Sequence, residues 1–506
     1  MAAMIYIPAR PPPYAAPLAK ELLGLSIEGD RFEDWTGPLG QPNQFTHQAL
    51  RNISDRTGTS CPIRWGADSQ DKYKITDGVR TVKVILSHTA SESTPYPEPA
   101  TSGVHIGPDY FALARNLPTG TKLTIGLNLR DQNEQETIAQ ARLLYDTFYG
   151  TRKAELKHVE LELVTIGNEP DLYEVPLFHR TGPPGWSPYK YVEQTIQLAN
   201  AVSSVFHGNI HFQIASITGF FKDQEQWNPR TVLGSGLMDD PIFEKMTVYS
   251  SHMYFGDLKA TSGSLMNKTF IRQMIRHWSE YRPMVEAAGL EFRIGETNSL
   301  ARGGVSGISN AAEASIWLVD YALHAACLGL KRLHFHHRVG QSYNWFDPVP
   351  ITGISGGTHA DARDAPSIHA PYYGALVLAE AVGMEPGTQI VELASIHRYI
   401  SAYGIYSKDG KLIRAVFINS EPYLDASKPR PVTEIELKTG TGLSLVGSKM
   451  KTLFTSLTTS TSGMTWAGQS YETSTAMPSG TLVETRYDGD SSTLRIAASE
   501  VTLLLL

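Results

Sequence analysis

The sequence predicts a closed parallel (β/α)8 TIM barrel followed by a smaller C-terminal antiparallel β-sandwich domain, and three observations predict it. Eight short β-rich apolar segments alternate with amphipathic helical stretches between about residue 22 and about residue 385. Polar residues gather at the C-terminal ends of those segments, where a barrel of this kind collects its chemistry. From about Gln389 the pattern changes to Thr, Ser and β-branched residues with turns such as KDGK and YDGD and no long helical period.

In chain order the expected strands are Leu22–Glu28, Pro62–Gly66, Leu123–Leu129 and Leu161–Gly167, then His211–Thr218, Val248–Tyr254, Phe292–Asn298 and Arg332–His337. QETIAQARLLYDTFY before the fourth and YKYVEQTIQLANAVSSVF after it place apolar residues at three- and four-residue spacing, as helices do. The competing open, doubly wound sheet announces itself by a glycine-rich first turn, whereas the chain reads GDRFEDW after Leu22–Glu28. Residues 21–385 are therefore assigned to the barrel and 386–506 to the β-domain. Residues 1–20 form an N-terminal segment whose MIYIPARPPP stretch offers that domain an edge strand, where proline is tolerated. The loop from Ser91 to Gly103 reads as an excursion near the barrel mouth.

At 506 residues, with 41% hydrophobic and 19% charged residues, the composition is that of a globular protein with room for one large and one smaller domain. A net charge of −7 argues against a nucleic-acid partner, which needs a basic face to displace counterions, and against strong binding to sulfated polyanions. No apolar run is long enough to cross a bilayer, so no membrane partner is expected; the oligomeric state stays open. MAAMIYIPARPPPYAAPLAK lacks the apolar stretch of a secretory signal, while Asn52-Ile-Ser54 and Asn267-Lys-Thr269 suit a glycosylated protein. The expectation is a secreted enzyme whose signal is not part of this chain. Two cysteines are too few for a disulfide framework, and Cys327, in the apolar run ALHAACLGL, reads as a buried free thiol.

Two segments carry chemistry. Ile166-Gly167-Asn168-Glu169-Pro170 closes the fourth expected strand, and Arg293-Ile294-Gly295-Glu296-Thr297-Asn298 closes the seventh. Hydrolysing a β-glycosidic bond needs a proton donor for the leaving oxygen and a second carboxylate beneath the sugar, about 5 to 5.5 Å apart in retaining enzymes. Strands four and seven face one another across a barrel mouth. The pattern therefore reads as a retaining β-glycosidase with Glu169 as acid/base and Glu296 as nucleophile. Asn168 is placed to bond the sugar 2-hydroxyl. Tyr254, ending strand six, and Arg64, in strand two, are placed to hold the nucleophile ionised and oriented. His334, His336 and His337 resemble a metal site, but no nearby carboxylate or cysteine completes a ligand set; no metal and no cofactor is expected, and His336 reads as a sugar contact. The glycine-rich run from Ala301 to Gly307 offers backbone N–H groups to an anion such as a sugar carboxylate.

The segments TIGNEP, IGETNSLARGG, RWGADSQ and GPDYF…GLNL resemble those of glycoside hydrolase family 79, which contains β-glucuronidases and heparanases. The resemblance spans nearly the whole chain, trailing β-domain included. It implies Glu169 as acid/base, Glu296 as nucleophile and Asn168 at the 2-hydroxyl, with Glu28 as a sugar contact. It also implies Tyr343 and the backbone of Gly303 at the glucuronate carboxylate. Where relatives often carry a tyrosine, this sequence has Ala301, which removes one donor to that carboxylate. The expected activity is exo-acting β-glucuronidase. The alternatives are a β-glycosidase of the same fold on a neutral sugar, a heparanase-like endo-enzyme, disfavoured because lysine and arginine are not clustered, and a non-catalytic carbohydrate binder. Because Glu169 must be protonated while Glu296 is ionised, a bell-shaped profile on the acidic side of neutral is expected.

Overall fold

A computed structural model describes residues 3–86, 101–174, 183–218, 226–256, 259–351, 363–488 and 493–506. Eight parallel strands close into a barrel: strand one Leu23–Glu28, two Ile63–Gly66, three Lys122–Leu127, four Glu160–Ile166, five Phe212–Ile217, six Met246–Tyr254, seven Glu291–Asn298 and eight Leu333–His337. Strand eight pairs with strand one, Leu333 opposite Leu23, which closes the ring. Strand three stops two residues short of the sequence expectation. Side chains capture the next two N–H groups, Asn128 by Gln140 Oε1 and Leu129 by Asp71 Oδ1, so the ladder cannot continue. The segment 91–100, expected at the barrel mouth, lies outside the described residues; Thr101–Ile106 beyond it is a strand, antiparallel to Val82–Leu86 and parallel to Tyr73–Ile75.

The helices begin where a side chain can satisfy a free N–H. Asn133 caps Glu134–Tyr149 by accepting from Glu136 N, and Ser187 caps Pro188–Val205, with proline at the first helical position. Helices Ala312–Cys327 and Ala370–Val382 are instead apolar nearly all round and buried nearly all round. They lie between the barrel and the β-domain. The β-domain supplies the partners at the start of the first, since Ala312 N donates to Ser460 O and Glu313 N to Thr458 O.

Among the described residues the β-domain is two sheets. The larger is antiparallel and runs through Gln389–Leu393, Ile400–Tyr406, Leu412–Asn419, Glu500–Leu505 and Lys449–Phe454. The smaller has Ala3–Ile7 at its edge, parallel to Val432–Thr439, which pairs in turn with Thr493–Ala497. Ala3, Ile5 and Ile7 alternate inward and share a core with Ala402, Phe417 and Ile435. Of the two glycosylation acceptors, Asn52 is buried, its amide donating to Tyr372 Oη at 3.0 Å and Ala476 O at 2.7 Å, so the folded protein cannot present it. Asn267 is exposed and caps helix Lys268–Ser279. Cys61 is buried and free, and burial pushes its thiol up to about 12; Cys327 is free and half-buried.

Candidate active site

Strand four ends at Ile166, and three residues turn the chain outward. Gly167 has φ +81°, and a Cβ there would come within 2.6 Å of Leu129 Cδ2, so this corner requires glycine. Glu169 sits in the left-handed region at φ +46°, a conformation that costs a non-glycine residue about 1 kcal/mol or more and survives only where its surroundings impose it. Here they do: Glu169 N donates to Ser216 O on strand five at 2.9 Å. Asp71 Oδ2 accepts from Asn168 N at 3.0 Å and from the Tyr173 hydroxyl at 2.7 Å.

Glu296, near the end of strand seven, is buried and held on both oxygens. Arg64 Nη1 donates to Oε2 at 2.8 Å and the Tyr254 hydroxyl to Oε1 at 2.7 Å. Burial alone would raise this carboxyl. His336, His252, Arg64 and the Tyr254 hydroxyl outweigh burial and hold it at about 2. Arg64 is 0% exposed and bridges the two halves of the site, since its Nη2 donates to Asn168 Oδ1 at 2.5 Å and its Nη1 also to Ser26 Oγ at 3.1 Å. Asn168 Nδ2 donates to Asp68 Oδ1 at 3.2 Å.

His252 stands between the carboxylates. Its Nδ1 is 3.1 Å from Glu169 Oε1 and 3.9 Å from Glu296 Oε2. One oxygen of each glutamate and one His252 nitrogen all lie within 4.8 Å of one another, the close spacing that retention requires. Burial lowers the His252 imidazole to about 3, opposed by Glu296 and reinforced by Arg64, so it is neutral over the ordinary pH range. Among the described residues this trio is also the group best placed to ligate a cation, but the Arg64 guanidinium at 2.8 Å already supplies the positive charge a metal would bring.

The remaining expected residues line the other side of the mouth. His336 Nε2 is 3.6 Å from Glu28 Oε1 and its Nδ1 is 3.8 Å from Glu296 Oε2; burial would lower it, and those two carboxylates raise it instead. Glu28 accepts from Ser69 N and Ser69 Oγ. Tyr343 is buried and stacks on Tyr254, their ring centroids 6.3 Å apart. The other two histidines of the run part company with His336. His337 spends both ring nitrogens on the backbone of Phe335 and Trp345, and His334 lies in the barrel interior against Gly24.

The glycine-rich run corrects one expectation. It precedes helix Ala312–Cys327, with residues 308–311 between, but it is not a cradle of free N–H groups. Val305 N and Gly307 N are taken by Ser309 Oγ and Asn310 Oδ1, and Gly304 N by Ala301 O. Gly303 N–H has no hydrogen-bond partner among the described residues, and Gly303 O accepts from Tyr343 N at 3.4 Å. Sequence reasoning missed His252, Ser26, Asp68 and Asp71. His252 was within reach, since strand alternation puts it on the same face as Tyr254. The others act on neighbours distant in sequence and left no local signal.

Residues 402–503 match the model of the glycosyl hydrolase family 79 C-terminal beta domain. A beta-glucuronidase of Neurospora crassa is 27% identical over 437 residues, 80% of this chain and 73% of that protein. A beta-glucuronidase of Aspergillus niger is 26% identical over 484 residues, 90% of this chain and 84% of that one. Among solved structures, a 4-O-alpha-L-rhamnosyl-beta-D-glucuronidase from Fusarium oxysporum 12S matches with a TM-score of 0.79 at 25% identity, over 99% of this chain and 100% of that one. A family 51 alpha-L-arabinofuranosidase of Bifidobacterium longum, at TM-score 0.65 and 12% identity, shares the fold. With two buried carboxylates joined across the mouth of such a barrel, the chain is a glycoside hydrolase. Within that class its likeness is to glycoside hydrolase family 79, whose C-terminal beta domain residues 402–503 match.

Proposed function

We propose that the protein is an exo-acting, retaining β-glucuronidase. The observation that carries the chemistry is the Arg64 bridge: one buried guanidinium fixes Asn168, beside Glu169, and holds Glu296 ionised. The names of the two relatives and of the Fusarium structure support glucuronate as the sugar. In this reading a Glu296 oxygen attacks C1 while Glu169 gives its proton to the glycosidic oxygen, and the aglycone leaves. The covalent glycosyl-enzyme is then opened by water that Glu169 deprotonates, returning glucuronate with its β configuration. Neutral His252 stays against Glu169 through both steps and can exchange donor and acceptor roles as Glu169 loses and regains its proton. Glu28, His336, Tyr343 and Gly303 bind the sugar.

Ala301 favours one second reading, a β-glycosidase of neutral sugars, because its methyl group gives a sugar carboxylate no donor. Turnover of an aryl β-glucuronide against the matching aryl β-glucoside separates the two, and a kcat/KM no higher for the glucuronide defeats the first. Glu169→Ala and Glu296→Ala are expected to abolish most turnover; wild-type rates in both would remove the catalytic assignment.

A further inference from the structure

A glucuronide differs from a glucoside only at C6, so discrimination must come from whatever faces that carbon. Across a pyranose ring C2 lies opposite C5, which bears C6. With Asn168 of strand four at the 2-hydroxyl and Glu296 of strand seven beneath C1, C6 points toward the far side of the mouth. Strand eight stands there, opposite strand four in the closed ring.

The loop after strand eight is held firmly by its own backbone and by Asn344. Gln341 N donates to Arg338 O at 3.0 Å and Asn344 N to Gln341 O at 3.2 Å, while Asn344 Nδ2 donates to Arg338 O at 2.6 Å and to Asp347 Oδ1 at 2.8 Å. The side chain of Gln341 is different. The residue is only 9% exposed, yet its carboxamide makes no hydrogen bond among the described residues. It lies against Gly303, where a Cβ would come within 1.4 Å of Gln341 Oε1, and Gly303 N–H also lacks a partner. Neither polar atom of this amide is among the sealed, unpartnered ones, so the carboxamide keeps a solvent-facing edge that a ligand can reach. The positive charge on this loop is already engaged, since Arg338 Nη2 donates to Asp30 Oδ2 and Thr101 Oγ1 at 3.1 Å each.

We propose that Gln341 is a specificity-determining residue whose carboxamide N–H donates to the C6 carboxylate of the substrate, alongside Gly303 N–H and the Tyr343 hydroxyl. It takes over the work of the phenol that Ala301 lacks, through neutral donors rather than a cation. A half-turn of the unbonded amide exchanges its oxygen and nitrogen at little cost. The inference rests on the glucuronidase reading.

The test measures kcat/KM for an aryl β-glucuronide and an aryl β-glucoside with wild type, Gln341→Met and Gln341→Glu. Methionine keeps the length and removes the donor; glutamate keeps the shape and sets a negative charge against the substrate's own. A hydrogen bond to a charged group is worth about 10- to 100-fold, so the glucuronide-to-glucoside ratio falls about 10-fold or more with methionine and further with glutamate. Should the methionine variant melt early, the glutamate variant, matched in shape, carries the same readout. A ratio unchanged in both variants overturns the inference and leaves the glucuronidase reading standing. A wild type with no preference for the glucuronide overturns both.

Discussion

Removing the Tyr254 hydroxyl should move the acid limb of the pH–rate profile. In the proposed double displacement Glu296 must be ionised to attack, so kcat/KM falls as pH drops through its pKa in the free enzyme. The carboxyl stands at about 2 because several groups together outweigh its burial, and one of them is the 2.7 Å bond from Tyr254. That phenol is pushed well above its ordinary range by burial and the neighbouring carboxylates, so it keeps its proton and donates throughout. A hydrogen bond to a charged group contributes about 1.5 to 3 kcal/mol, which is about one to two pKa units. Tyr254→Phe keeps the ring stacked on Tyr343 and deletes only that donor, so the limb should rise toward about pH 3 to 4. The assay is kcat/KM for an aryl β-glucuronide at graded acid pH, with each sample returned to pH 6 to confirm that activity recovers. The plateau height is less informative, because a released carboxylate is more basic but less well aimed. An acid limb that does not move in the variant would refute the idea that Tyr254 helps hold Glu296 ionised.

Two further outcomes concern groups outside the reacting pair. Glu313 is fully buried, takes Gly263 N–H on both oxygens at 3.0 and 2.9 Å, and is pushed by burial from 4.5 to about 7. Its folded pKa is raised, so its contribution to stability is complete below about pH 4.5 and is lost as pH rises through 7, on the order of 3 kcal/mol across that window. Glu313→Gln should therefore flatten the fall in Tm between pH 5 and 8, and parallel slopes in variant and wild type would exclude it. Asp71→Asn turns one acceptor oxygen into a donor facing N–H or O–H groups, at a cost of about 1 to 3 kcal/mol, and loosens the left-handed turn at Glu169. We expect a lower Tm and a lower kcat with KM nearly constant; a lower Tm at full kcat would make Asp71 purely structural.

The sequence made the barrel legible because its strands are short, apolar and separated by helices whose period is plain. The paired glutamates were legible because a polar residue closing an apolar strand is visible one residue at a time. What escaped detection depends on the third dimension. Arg64 was legible in strand two as a partner for Glu296, but not that Ser26 and Asn168 would share it. The run from Ala301 to Gly307 looked like an anion cradle because glycines precede a helix, yet Ser309 and Asn310 fill that turn and the β-domain takes the helix's first N–H groups. Gln341 carries no local pattern at all and acquires meaning only beside Gly303.

The placement of Ala3–Ile7 bears on how the molecule assembles. That strand waits for Val432–Thr439, with Ala3 meeting Ile435, so the barrel is in effect inserted into a β-domain already begun. Glu500–Leu505 lies inside the larger sheet, between Leu412–Asn419 and Lys449–Phe454, rather than at its rim. The smaller sheet cannot close until Thr493–Ala497 has left the ribosome, nor the larger until Glu500–Leu505 has. The buried faces of helices Ala312–Cys327 and Ala370–Val382 stay uncovered until then, and contacts this remote in sequence form slowly. Chaperone demand during synthesis should therefore centre on those two helices.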